Sequence, residues 1–139
     1  MAQFRSFEDI QVWQESRKLL WSIRQICKRE KVQRDFSFID QITRSARSIS
    51  TNIAEGSDAM TPPEFIQFLG YAKRSSGETR SHLYDALDEQ YISRSEFDMY
   101  TDQTKKICSM IAKLIHHLQS LDPTWKRTFS LKSTTRTDE

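Results

Sequence analysis

The chain has 139 residues, the length of one domain, with 21 basic and 19 acidic residues and a net charge of +2. Its 3 Gly and 3 Pro fall below half of average usage, roughly 7% and 5%, which excludes turn-dense sandwiches, barrels and collagen-like repeats. A histone-like polycation is excluded as well, whereas a local basic patch is not, and 37% hydrophobic with 11% aromatic residues suffices to build a core.

Four helices follow in chain order, over about 7–31, 38–55, 62–90 and 96–121. Each opens on a hydroxyl with a carboxylate three residues later: Ser6 with Asp9, Ser37 with Asp40, Thr61 with Glu64 behind Pro62, and Ser95 with Asp98. Helix 1 carries a broad stripe of Val12, Trp13, Leu19, Leu20, Ile23, Ile26 and Cys27. Helix 2 steps through Ile39, Ile42, Ala46, Ile49 and Ile53 at alternating intervals of three and four, the helical apolar period. Gly56 reads as its left-handed C-cap. Helix 3 carries Phe65, Phe68, Leu69, Ala72, Leu83, Ala86 and Leu87 around a small midsection of Ser75, Ser76, Gly77 and Thr79. Helix 4 runs from Phe97 through Tyr100, Thr104, Ile107, Ile111, Leu114 and Leu118 to Leu121, with Pro123 as its stop. Short links make sequential helices antiparallel neighbours, so the expected fold is all-α, an up-down-up-down four-helix bundle over 1–121. Residues 122–139, rich in Ser, Thr and basic residues, read as a flexible tail.

Helix 2 is a misfit: Ser45, Ser48, Ser50, Thr51 and Asn52 are mediocre helix formers, so tertiary or quaternary packing must hold it. Its small side chains allow close backbone approach, either within the bundle or between subunits.

Catalytic and metal chemistry find little support. No Glu-x-x-His pair of the dinuclear bundle type occurs, and His116 and His117 lie about 100° apart on a helix. His82, four residues after Glu78, lacks a repeat on a second helix. No Gly-rich phosphate loop, nucleophile elbow or Cys–His arrangement is present, so neither an enzyme nor a cofactor is expected. Cys27 and Cys108 cannot form a disulfide framework and read as buried free thiols. Met1–Arg5 opens no signal region, and a soluble cytoplasmic protein is expected.

The basic ridges carry the binding argument. On helix 1, Arg17, Trp21, Arg24 and Lys28 form one line beside the apolar stripe. Lys73, Arg80 and Tyr84 follow a similar spacing on helix 3, and Arg44 and Arg47 sit on the polar side of helix 2. Cations interleaved with an aromatic suit a phosphate backbone and unstacked bases. Taken alone, solvated charged faces are the plainer reading.

Phe7 to Gln14 resembles the opening of the four-helix-bundle proteins encoded in intervening sequences of 23S ribosomal RNA genes. The stretch Gln41 to Gly56, which includes Arg44-Ser45-Ala46-Arg47 and Asn52-Ile53-Ala54-Glu55-Gly56, is similar to that family's most distinctive segment. Phe65 to Glu78 looks like its third-helix signature. The link Lys31-Val32-Gln33-Arg34-Asp35 departs from the Pro-containing link of the family. The resemblance covers about residues 4–121 and implies a non-catalytic bundle assembling into a ring-shaped homo-oligomer, usually a pentamer. Relatives include the accessory variability proteins of diversity-generating retroelements, which implies nucleic acid and a reverse transcriptase as partners. Arg44 and Arg47 match basic positions of the signature, while Ser45, Asn52, Glu55 and Gly56 are assigned an interface or structural role. The leading functional expectation is RNA binding through the basic faces. The alternative is a protein-interaction scaffold that docks a partner without touching RNA.

Overall fold

The computed structural model describes residues 6–59 and 61–120, and its described residues form helices and turns with no strand. A 3-10 turn over Phe7–Asp9 leads into α1 (Gln11–Cys27), α2 (Phe36–Ser57), α3 (Pro62–Asp88) and α4 (Arg94–Gln119). Each helix packs on the next, and α4 returns to α1. The predicted stripes meet in the middle: Leu19, Ile23, Ile42, Ile49, Ile53, Leu69, Leu83, Ile107 and Ile111 are all fully buried. Leu121, Pro123 and the tail 122–139 lie outside the described residues. No helix among the described residues is long and apolar enough to cross a membrane.

The four helix starts separate on their caps. Thr61 caps α3 as expected, its Oγ1 accepting from the Glu64 amide at 3.3 Å. The other three positions are corrected. Ser6 makes no capping bond, and buried Ile10, in extended conformation, separates the 3-10 turn from α1. Asp35, not Ser37, caps α2 by accepting from the Phe38 amide at 3.2 Å. Ser93, not Ser95, caps α4: its Oγ accepts from the Glu96 amide at 3.1 Å, and Glu96 Oε1 accepts from the Ser93 amide at 2.9 Å. Glutamate spans this reciprocal box; Asp98 pairs with Arg94 at 3.2 Å instead.

Two helix ends are corrected as well. Helix 1 stops at Cys27 and not near residue 31, because fully buried Val32 pulls the link onto the core. Gly56 is not a left-handed cap, since no glycine among the described residues has positive φ and α2 continues through Ser57. The left-handed residue is Gln90, at φ 60°. It closes α3 with the Tyr91 amide bonded to Ala86 O at 2.8 Å and the Gln90 amide to Leu87 O at 3.0 Å, the double closure of a Schellman motif.

The small residues of α2 and α3 form a polar seam. Thr79 Oγ1 lies 2.9 Å from Ser45 Oγ, and Ser75 Oγ donates to Ser48 Oγ at 2.9 Å. Asn52 Nδ2 donates to the Ser48 carbonyl at 2.8 Å. At the far end of the seam a Cβ on Gly56 would stand 2.8 Å from Phe68 Cβ and 2.9 Å from Phe65 Cδ1. On the other side of α3, Ser76 Oγ donates to Thr104 O at 3.0 Å. Among the described residues no buried side-chain nitrogen or oxygen lacks a partner, so these hydroxyls are buried without the cost of an unmade hydrogen bond.

Candidate nucleic-acid interface

The buried stripe of α1, Val12, Ser16, Leu19, Leu20, Ile23 and Ile26, fixes which way its other residues point. Arg17, Trp21, Arg24 and Lys28 all emerge exposed, and Trp21 keeps 65% of its surface in solvent. The Arg17 guanidinium lies 5.9 Å from the centroid of the Trp13 ring, a cation–π distance. Trp13 itself packs edge-on against Phe7 with centroids 4.9 Å apart. Arg24 and Lys28 enter no ion pair among the described residues, so their charge faces solvent uncompensated.

α2 extends this face in part. Cys27 Sγ sits 3.8 Å from Thr43 Oγ1, which sets where α1 meets α2. Arg24 stands one turn before Cys27 and Arg47 one turn after Thr43, so the two border the same seam. Arg47 is exposed and without an ion pair among the described residues, while Arg44 is held by Asp40 at 3.0 Å. Exposed pairs of that kind are worth little to stability, yet Asp40 cancels much of the Arg44 charge.

Lys73, Arg80 and Tyr84 do not join them. Lys73 offers its carbonyl to Cys108 Sγ at 3.8 Å, and the Tyr84 ring lies edge-on to Phe97, centroids 4.8 Å apart. Both contacts belong to the α3–α4 side, where Arg80 is half-buried. The predicted cations therefore divide between two seams, with the open aromatic on the α1–α2 side. Tyr84, though partly exposed, is half spoken for by Phe97.

Ser45, Asn52 and Gly56 are occupied within the chain, in the α2–α3 seam described above, and Ser45 and Gly56 are buried there. Of that group only Glu55 stands exposed. The close-approach requirement of α2 is thus met by α3.

Sequence reasoning missed the link. Lys31 and Arg34 follow Lys28 in the chain and are exposed, with the exposed Glu30 between them and α1; the density of Lys and Arg over 28–34 was the available signal. Arg29, in the same run, turns inward. Its guanidinium donates to the Tyr91 carbonyl at 2.8 Å and grips both carboxylate oxygens of Glu96, Nη1 to Oε1 at 3.1 Å. This bond to Arg29, with the Ser93 amide second, holds the Glu96 carboxyl down at about 2, and the same pair raises the guanidinium further above its ordinary range. The Tyr91 hydroxyl donates to Asp35 Oδ2 at 2.6 Å, and that bond pushes the phenol up to about 12. The link is therefore clamped to the α3–α4 connection.

Cys27 and Cys108 are half-buried, not buried, and free; burial pushes the Cys27 thiol up against the lowering effect of Thr43. His82 lies 3.9 Å from Asp85. Among the described residues no group of three His, Cys, Asp or Glu side chains could hold a metal ion.

An all-α chain of four consecutively packed helices with a basic, aromatic first helix is the class these observations define. The sequence model for 23S rRNA-intervening sequence proteins matches residues 8–113, and the chain belongs to that family. It is similar to a crystal structure of a protein of unknown function from the S23 ribosomal protein family of Bacteroides thetaiotaomicron VPI-5482. That likeness has 26% identity and a TM-score of 0.68, covering 75% of this chain and 97% of the other. No functionally curated protein is significantly similar to this chain.

Proposed function

We propose that this chain is a non-catalytic, homo-oligomeric bundle of the cytoplasm that binds structured RNA, alone or within an RNA–protein complex, through its α1–α2 face. The observation that carries the reading is the line Arg17, Trp21, Arg24 and Lys28: all exposed, and without an acidic partner among the described residues. A solvated helix face usually mixes both signs of charge; this line has one. Arg47, Lys31 and Arg34 widen it. The family's name ties its members to 23S rRNA intervening sequences, which favours RNA over DNA.

The bundle is read as antiparallel, up-down-up-down. Ser45 meets Thr79 and Ser48 meets Ser75, while Ser76 meets Thr104 and Lys73 meets Cys108; in each pair of helices one number falls as the other climbs. Assembly into a ring, a pentamer by family resemblance, would repeat a small patch around one axis, and linked patches gain effective concentration without any new contact.

The Arg24→Ala/Lys28→Ala double variant tests the reading. Neither side chain enters an ion pair among the described residues, so thermal stability should hold within about 0.5 kcal/mol. The slope of log affinity against log salt should shrink by about 1.5, from roughly 0.7 to 0.9 per lost phosphate contact. An unchanged slope would take these residues out of the interface. Salt-insensitive binding of a protein partner, with no RNA affinity, would replace the reading by that of a docking scaffold.

A further inference from the structure

We propose that the groove along the first three turns of α1 holds one unpaired base of the RNA, stacked on the face of Trp21. This rests on the RNA-binding reading and names what part of the RNA is recognised.

The two described tryptophans have different work. Trp13 is half-buried, braced edge-on by Phe7 at 4.9 Å and covered by the Arg17 guanidinium at 5.9 Å. Trp21, two turns further along the same groove, has no ring or cation partner among the described residues and leaves 65% of its surface in water. An indole this exposed offers a large flat apolar surface on which a partner with a π-face can stack. Its position fits a nucleotide. Arg17 stands one turn before it and Arg24 one turn after, so a base on the indole has a guanidinium on either side for its two flanking phosphates. Of the charged groups lining the groove, Arg17 and Lys18 outnumber Glu8. Lys18 is shared with Glu15 at 3.5 Å, whereas Arg17, over the Trp13 ring, and Arg24, one turn beyond the groove's lining, enter no ion pair among the described residues.

A base can reach this face only outside a continuous stack. A-form duplexes offer their minor-groove edges and phosphates, and no open base face, to a side chain on a helix. Loops, bulges and ends offer splayed bases, and stacking on an aromatic side chain tolerates any of the four. The groove therefore selects unpaired nucleotides flanked by structure, without reading sequence.

The experiment compares a hairpin RNA with an unpaired loop and a blunt duplex of equal length, titrated over a series of salt concentrations against the full chain and its Trp21→Ala and Trp21→Phe variants. The wild type should prefer the hairpin. Trp21→Ala should weaken hairpin binding about 5- to 150-fold, the range of one lost base stack, and leave duplex binding and the salt slope unchanged. Trp21→Phe should recover most of the loss. Wild-type binding with no preference for the hairpin, or equal hairpin affinity in Trp21→Ala, overturns base stacking while phosphate binding stands. A Trp21→Ala chain that changes its oligomeric mass assigns the indole to a second copy and overturns it as well. Absence of wild-type binding to either RNA at low salt overturns the RNA-binding reading itself.

Discussion

Replacing Gly56 by alanine should lower stability by about 1–2 kcal/mol, the reverse of what glycine-to-alanine exchange does inside most helices. Within a helix that exchange gains roughly 0.8–1 kcal/mol, because alanine loses less backbone entropy on folding. At Gly56 the added methyl would sit 2.8 Å from Phe68 Cβ and 2.9 Å from Phe65 Cδ1. Neither is the tip of a flexible chain: one is anchored directly to the α3 backbone, and the other belongs to a ring that is itself buried. α2 and α3 must part or Phe65 must leave its rotamer, and such overpacking costs about 1–3 kcal/mol. Gly70 and Gly77 supply the internal control, since a Cβ at either meets nothing within 4 Å; alanine there should stabilise by about 0.5–1 kcal/mol. Urea unfolding of the three variants reads the sign directly through the midpoint at constant slope. A Gly56→Ala chain as stable as Gly70→Ala would mean that α2 and α3 do not approach this closely.

The second large effect lies at the opposite end of the α2–α3 pair, where Arg29 joins Glu96. The Glu96 carboxyl is held from an ordinary 4.5 down to about 2, chiefly by Arg29. A depressed carboxyl stabilises the fold above its unfolded value and ceases to do so as pH falls through its folded value. The contribution is therefore complete above about pH 4.5 and disappears progressively toward pH 2. Complete transfer of that shift into stability would give about 3 kcal/mol. The two side chains keep 35% and 28% of their surface in solvent, and screening brings the expected value to about 1–2 kcal/mol. Glu96→Gln should lose that amount at neutral pH. Its stability should also fall less steeply than the wild type's between pH 4.5 and 2, so that the two curves converge in acid. Parallel curves across that window would show that the clamp does not act through the Glu96 charge.

Much of this arrangement was legible in the sequence, for reasons that also mark the boundary of legibility. The interior of each helix is specified by local periodicity: Ile42, Ala46, Ile49 and Ile53 share one face because three- and four-residue steps return to it, and all four are fully buried. Helix ends depend on competition between near-identical signals. Ser93-x-x-Glu96 and Ser95-x-x-Asp98 both satisfy a hydroxyl-then-carboxylate rule, and the choice falls to Ser93 because Glu96 is also held from across the molecule by Arg29. Asp35 prevails over Ser37 in the same way, with the Tyr91 hydroxyl bonded to its second oxygen. A position 56 residues away in the chain cannot be read from a local motif. Gly56 carries a different lesson: its place near a helix end suggests conformational freedom, whereas the need is steric and comes from two phenylalanines on the neighbouring helix.

The candidate site divides along the same line. That Arg17, Trp21, Arg24 and Lys28 share a line follows from helical spacing, and their exposure agrees with it. The separation of Lys73, Arg80 and Tyr84 onto the α3–α4 side does not follow from spacing, because the azimuth of each helix is set by its neighbours. Ser45, which could have faced a second subunit or a second helix, meets Thr79 of α3, and Asn52 bonds back to Ser48 on its own helix.

RNA binding by the α1–α2 face through its uncompensated cations is what we propose for this chain. The most direct measurement is equilibrium binding of the wild-type chain to labelled structured and single-stranded RNAs across a series of salt concentrations. Affinity should fall linearly in log–log coordinates, with a slope of at least about 2 to 3 for the three cations Arg17, Arg24 and Lys28 of one chain, and steeper in an oligomer. Binding that ignores salt, or no binding at the lowest salt, would contradict it.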